Sequence, residues 1–112
     1  MSTKPSILVI DDDRIAQQVI AQCLEKNGFR VSCAPDGESG LAQLTDNSID
    51  AVITDYMMPK LDGIGLLKNM KEKPIAVPLI MMTAHGSIPS AVHAMRLGAA
   101  DYLTKPVTTP MS

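Results

Sequence analysis

Ile7-Leu8-Val9-Ile10-Asp11-Asp12-Asp13 is a run of four apolar residues stopped by three carboxylates. An unbroken apolar run of this length suits a strand buried on both faces, and so a parallel sheet; a strand with one wet face would alternate. Ala51-Val52-Ile53 and Leu79-Ile80-Met81-Met82 are runs of the same kind. Between the runs the apolar spacing turns helical. Ile15, Val19, Ile20, Cys23 and Leu24 fall on one helical face, and Asn27-Gly28 is a left-handed cap pair that ends the helix. A second strand lies near Arg30 to Ala34, then a turn at Pro35-Asp36-Gly37. Leu41 and Leu44 mark a short second helix, and Ile64, Leu67 and Met70 a third. Ser87 can cap a fourth helix that tolerates Pro89 in its first turn and turns Ile88, Val92 and Met95 inward. Gly98 closes it, and Ala100 to Thr104 reads as the last strand. Strands alternating with helices predict an α/β sheet with right-handed crossovers.

The chain of 112 residues is long enough for one domain, spanning 1–112, and its 46% apolar content supplies a core. A formal net charge of -2 provides no basic stripe and argues against direct nucleic-acid binding. No apolar run approaches the roughly 20 residues of a membrane helix, and the polar N-terminus has no signal-peptide core; both point to a cytoplasmic protein without membrane contact. Cys23 and Cys33 sit in apolar-periodic stretches and read as two buried thiols, a pairing between them remaining open. The eight methionines read as core and loop packing rather than a metal site, and His85 and His93 as surface residues. Neither a phosphate-cradling G-x-x-x-x-G-K nor a dinucleotide G-x-G-x-x-G is present.

Ligands of open parallel sheets bind beyond the carboxyl ends of the strands. The residues at those ends are therefore informative: Asp11, Asp12 and Asp13 after the first strand, Asp55 after the third, Thr83 after the fourth, and Lys105-Pro106 after the fifth. Clustered carboxylates repel one another unless a cation lies among them. An all-oxygen donor set without His or Cys points to Mg²⁺. With a lysine ammonium and a threonine hydroxyl added, the edge becomes a site for a phosphoryl group. Asp13, Asp36 and Asp62 read instead as helix caps or loop residues.

Taken in order, Asp11-Asp12, then Asp55-Tyr56-Met57-Met58-Pro59 with Asp62-Gly63, then Thr83-Ala84, then Tyr102 with Lys105-Pro106, resemble the receiver domains of two-component response regulators over residues 6 to 106. The stretch from Met82 to Pro106 is similar to receivers joined to enhancer-binding transcription activators or to hybrid sensor kinases. The resemblance implies a flavodoxin-like, doubly wound, five-stranded parallel sheet in the order 2-1-3-4-5. It implies Asp55 as nucleophile and phosphoacceptor, receiving its phosphoryl group from a histidine kinase or phosphotransfer protein. Asp12 would bind Mg²⁺, Asp11 would help directly or through water, and Asp55 and the backbone carbonyl of Met57 would complete the protein's ligands. Lys105, Thr83 and the backbone N–H of Ala84 would hold the phosphoryl oxygens. Tyr102 would be the switch that moves inward as Thr83 shifts. The implied partners are the kinase and an output domain or regulated protein, with a homodimer as a further arrangement. Such a domain catalyses only its own phosphorylation and dephosphorylation.

Two other readings compete. An aspartate-nucleophile phosphatase of the haloacid dehalogenase type also places carboxylates after the first strand, and Asp11 and Asp13 satisfy its D-x-D spacing, although Ile15 departs from its pattern. A pseudo-receiver would bind partners without phosphorylation, against which the complete site set argues. Receivers carry a fifth helix after the Lys-Pro pair, whereas only Val107 to Ser112 come after it here, with an internal proline. The expectation is a fragment of a longer regulator with that helix missing and an apolar patch around Ile53 and Leu103.

Overall fold

The computed structural model describes residues 4–46, 48–58, 60–73, 75–83 and 88–104. Nine elements alternate along them: β1 (Ser6–Ile10), α1 (Arg14–Lys26), β2 (Arg30–Ala34), α2 (Gly37–Asp46), β3 (Ala51–Asp55), α3 (Gly63–Glu72), β4 (Leu79–Thr83), α4 (Ile88–Arg96) and β5 (Asp101–Thr104). The strands form one parallel sheet in the order β2-β1-β3-β4-β5. This is the flavodoxin-like topology expected from the sequence. The order reverses beside β1, so the loops after β1 and β3 flank a crevice at the carboxyl edge of the sheet, where such folds bind ligands.

The two faces of the sheet are covered unequally. Leu8, Val52, Leu79 and Met81 point to the side of α2, α3 and α4, where they are at most 1% exposed and pack with Leu44, Leu66, Met70 and Ala94. Ile7 and Val9 point to the other side and pack against Ile20 of α1. On that side, however, Ile53, Ile80 and Met82 are only half-buried, and Leu103 is exposed. Among the described residues, these side chains of β3 to β5 are the less buried part of that face. Ser87, Ala84, His85 and the whole segment after Thr104, Lys105 included, lie outside the described residues.

Three aspartates start helices as expected. The Asp13 carboxylate accepts from the Ile15 N–H at 2.9 Å, Asp62 from Gly65 at 2.8 Å and Asp36 from Ser39 at 2.8 Å. At their far ends α1 and α4 close in the same way. Gly28 (φ 89°) donates to Glu25 and Phe29 to Leu24; Gly98 (φ 106°) donates to Met95 and Ala99 to Ala94. That paired pattern needs a left-handed residue, which glycine adopts without strain.

Two helical faces differ from the sequence expectation. In α1, Ile15 is 72% exposed and Cys23 is exposed; the inward line runs through Ala16, Ile20 and Leu24. The apolar arc was wider than the strip the sheet accepts, so its outer members stay in water. Both cysteines are free and exposed, contrary to the buried-thiol reading: Cys23 lies off the inward line, and Cys33 lies on β2, an edge strand with a neighbour on one side only. In α4, Val92 and Met95 are exposed, whereas Ala94 is fully buried and Ala91 half-buried. Alanines let this helix lie close on β4 and β5, and the larger side chains then face outward.

Candidate functional site

The carboxyl ends of β1 and β3 bring three carboxylates together. Oxygens of Asp11, Asp12 and Asp55 all lie within 4.8 Å of one another. Asp11 and Asp55 are buried and Asp12 is exposed, so the cluster is open on one side. The backbone orders it. The Asp13 N–H donates to Asp11 Oδ1 at 2.9 Å, and the Met57 N–H donates to Asp55 Oδ1 at 3.3 Å. Gly63 permits the close fit beneath the cluster: a Cβ there would stand 2.6 Å from the Asp55 carbonyl oxygen and 2.7 Å from Met81 Sδ. The start of α3 can therefore sit directly against the end of β3, tied by a bond from the Gly63 N–H to the Tyr56 carbonyl.

Three hard oxygen donors at this spacing suit a small divalent cation such as Mg²⁺, which binds through one or two carboxylates and keeps several waters. Asp13 takes no part, because its carboxylate accepts from Ile15 and Ala16 at the head of α1. That engagement weakens the phosphatase reading, which rested on the spacing of Asp11 and Asp13.

Thr83 ends β4, buried, one residue beyond the Met82 that pairs with Asp55. Tyr102 lies on β5, half-buried, with its hydroxyl 2.6 Å from Ser90 Oγ on α4. Its ring meets Tyr56 edge to face, with centroids 6.0 Å apart at 72°. Tyr56 directly follows Asp55, so one side chain separates the switch candidate from the phosphoacceptor candidate. Lys105 and Ala84, the remaining members of the expected set, lie outside the described residues. Met57 is 67% exposed beside Asp55.

The β3–α3 loop is held from outside as well. Lys60, at φ 65°, pairs with Asp36 at 3.6 Å, and the Gly37 N–H donates to the Leu61 carbonyl. The Ser39 N–H, chiefly, and then the Ser39 hydroxyl and the charge of Lys60 hold the Asp36 carboxyl below its usual 3.8 against desolvation.

Sequence reading missed Gln17, Tyr56 and Ser90 as contributors. Gln17 donates through Nε2 to the carbonyls of Asp11 (2.6 Å) and Ala34 (3.0 Å). Each acts on a residue that is a neighbour only in the folded chain, so no local pattern announces it.

Fold and cluster together define the class: a flavodoxin-like domain with an acidic cluster at the carboxyl edge of its sheet. The chain belongs to the response regulator receiver domain family, whose model matches residues 7–111. Among curated relatives, the transcriptional regulatory protein FixJ of Bradyrhizobium diazoefficiens is 44% identical over 106 residues, 95% of this chain and 52% of its own length. The C4-dicarboxylate transport transcriptional regulatory protein DctD of Rhizobium meliloti is 40% identical over 106 residues, 95% of this chain but 23% of its own. The chain thus spans about half or less of the length of these relatives. Among solved structures, the receiver domain of the Francisella response regulator 1452 superposes with a TM-score of 0.87 at 38% identity, covering 94% of this chain and 87% of that one. The crystal structure of FixJ-N gives 0.85 at 33% identity, covering 98% and 88%. No helix among the described residues is long and apolar enough to cross a membrane.

Proposed function

We propose that this domain accepts a phosphoryl group on Asp55 from a phosphohistidine, with Mg²⁺ held by Asp11, Asp12, Asp55 and the Met57 carbonyl. The convergence of three carboxylates within 4.8 Å at the ends of β1 and β3 carries the reading. A carboxylate oxygen of Asp55 attacks phosphorus in line with the leaving imidazole nitrogen. The P–N bond breaks, its electron pair stays on the ring, and the imidazole takes up a proton. When bound, Mg²⁺ neutralises charge on the phosphoryl oxygens. The chain's own part is positioning: Met57 N–H orients Asp55, Asp13 N–H orients Asp11, and Thr83 stands at the neighbouring strand end to donate to a phosphoryl oxygen. Lys105 and the Ala84 N–H complete the expected clamp. Hydrolysis of the acyl phosphate returns the carboxylate, so the domain turns over only its own modification.

The phosphoryl group draws Thr83 toward it and alters the packing of Tyr102, biasing a pre-existing equilibrium at α4 and β5. The partners are a sensor histidine kinase or phosphotransfer protein on one side and an output domain, a regulated protein or a second copy on the other. The names of the longer relatives support a transcriptional output. The net charge of -2 supports an output reached through a separate domain rather than by contact of this one with DNA, and the setting proposed is cytoplasmic. Incubation with a small phosphoramidate donor tests the reading against the phosphatase alternative: labelling that stays on Asp55 supports it, and sustained turnover of a free phosphate ester without labelling overturns it.

A further inference from the structure

We infer that Gln17 is a positioning residue for the acidic pair, holding the peptide that joins Asp11 to Asp12 and so fixing where the cation-binding carboxylates stand. The inference rests on the Mg²⁺ reading above. Gln17 lies one turn into α1 and is half-buried, facing the ends of β1 and β2. Its Nε2 reaches the Asp11 carbonyl at 2.6 Å and the Ala34 carbonyl at 3.0 Å. Both partners are carbonyl oxygens, which only accept, so only the NH₂ end of the carboxamide can face them; chemistry fixes its orientation.

With this bond the backbone N–H, the carbonyl and one carboxylate oxygen of Asp11 are all engaged. Its N–H donates to the Ala34 carbonyl at 3.1 Å, its carbonyl accepts from Gln17, and its Oδ1 accepts from the Asp13 N–H. Asp11 is accordingly well fixed and 1% exposed. Asp12 is exposed, and its direction follows from the peptide that precedes it. Removing the Gln17 donors frees that carbonyl to rotate toward water and takes the Asp12 carboxylate with it. Groups that orient metal ligands without touching the metal typically change affinity by about 10- to 100-fold when removed.

The test is Gln17→Leu and Gln17→Met, both good helix formers of similar length without donors. Mg²⁺ is titrated into metal-free wild type, both variants and Asp12→Asn, by calorimetry and by amide shifts of residues 11–13, well below each melting midpoint. The expected result is a dissociation constant for Mg²⁺ raised on the order of tenfold in both Gln17 variants. In acetyl phosphate reactions the half-saturating Mg²⁺ concentration should rise equally while the rate at saturating Mg²⁺ stays near that of wild type. A lower melting temperature with unchanged Mg²⁺ affinity, while Asp12→Asn loses binding, would overturn the role of Gln17 and leave the metal reading standing. Wild-type binding by Asp12→Asn would sink both.

Discussion

Asp12→Asn should make the metal-free protein more stable. The substitution keeps the shape of the side chain and removes one of three negative charges whose oxygens lie within 4.8 Å. At that distance a pair of unit charges repels by about 0.9 kcal/mol in water and about 3.5 kcal/mol at an effective dielectric of 20. Asp12 is exposed, so the aqueous end applies, and it faces two charges, Asp11 and Asp55. Relief of about 1–2 kcal/mol is expected, which for a domain of this size raises the melting temperature by about 4–8 °C. The assay is thermal unfolding by circular dichroism in EDTA at low salt. Two internal checks come with it. Salt near 1 M shortens the screening length to about 3 Å and should shrink the difference. Saturating Mg²⁺ should stabilise wild type by mass action and leave the variant nearly unmoved, reversing or closing the gap. A variant no more stable than wild type in EDTA at low salt would refute the argument, because the clustered charges would then not be repelling one another in the folded state.

Single contacts give further expected outcomes. Asp13→Ala removes the carboxylate that caps α1 and should cost about 1 kcal/mol in urea unfolding, while labelling of Asp55 persists, since Asp13 serves the helix and not the chemistry. Ser90→Ala deletes the 2.6 Å partner of the Tyr102 hydroxyl; a loss of about 1 kcal/mol and a changed fluorine resonance of labelled tyrosine at position 102 are expected, and an unmoved resonance would mean that Ser90 does not set the ring's position. Asp36 has a folded-state pKa below its usual 3.8, so its contribution is fully present above that value and fades as pH falls through the lower one. Wild type should therefore exceed Asp36→Asn in stability at neutral pH, with the difference closing in acid; a constant difference across the titration contradicts this.

The sheet was legible because buried parallel strands write themselves as unbroken apolar runs. Ile7–Ile10, Ala51–Ile53 and Leu79–Met82 each became a strand, extended at one end by polar residues such as Ser6, Asp55 and Thr83. The acidic cluster was legible because it sits at strand ends, where sequence position converts directly into place: Asp11 and Asp12 after β1 and Asp55 at the end of β3 do converge. Helix rotation was less legible. Periodicity marks an apolar arc, but the sheet decides which part of the arc it accepts. Ala94 won over Val92 and Met95 because a small side chain permits close approach, and Ile15 lost to Ala16 and Ile20 for want of a covering surface. Gln17 and Ser90 were not legible at all. A glutamine on a helix ordinarily faces solvent, and only the folded arrangement brings the carbonyls of Asp11 and Ala34 within reach of Gln17.

The central claim is that Asp55 takes the phosphoryl group with help from a cation at the acidic cluster. Intact-mass measurement after incubation with acetyl phosphate addresses it most directly, run on wild type with Mg²⁺, wild type with EDTA, and Asp55→Asn with Mg²⁺. The account predicts the added mass of one phosphoryl group in the first sample alone, with all three proteins folded. Undiminished labelling of Asp55→Asn, or equal labelling of wild type in EDTA, would contradict it.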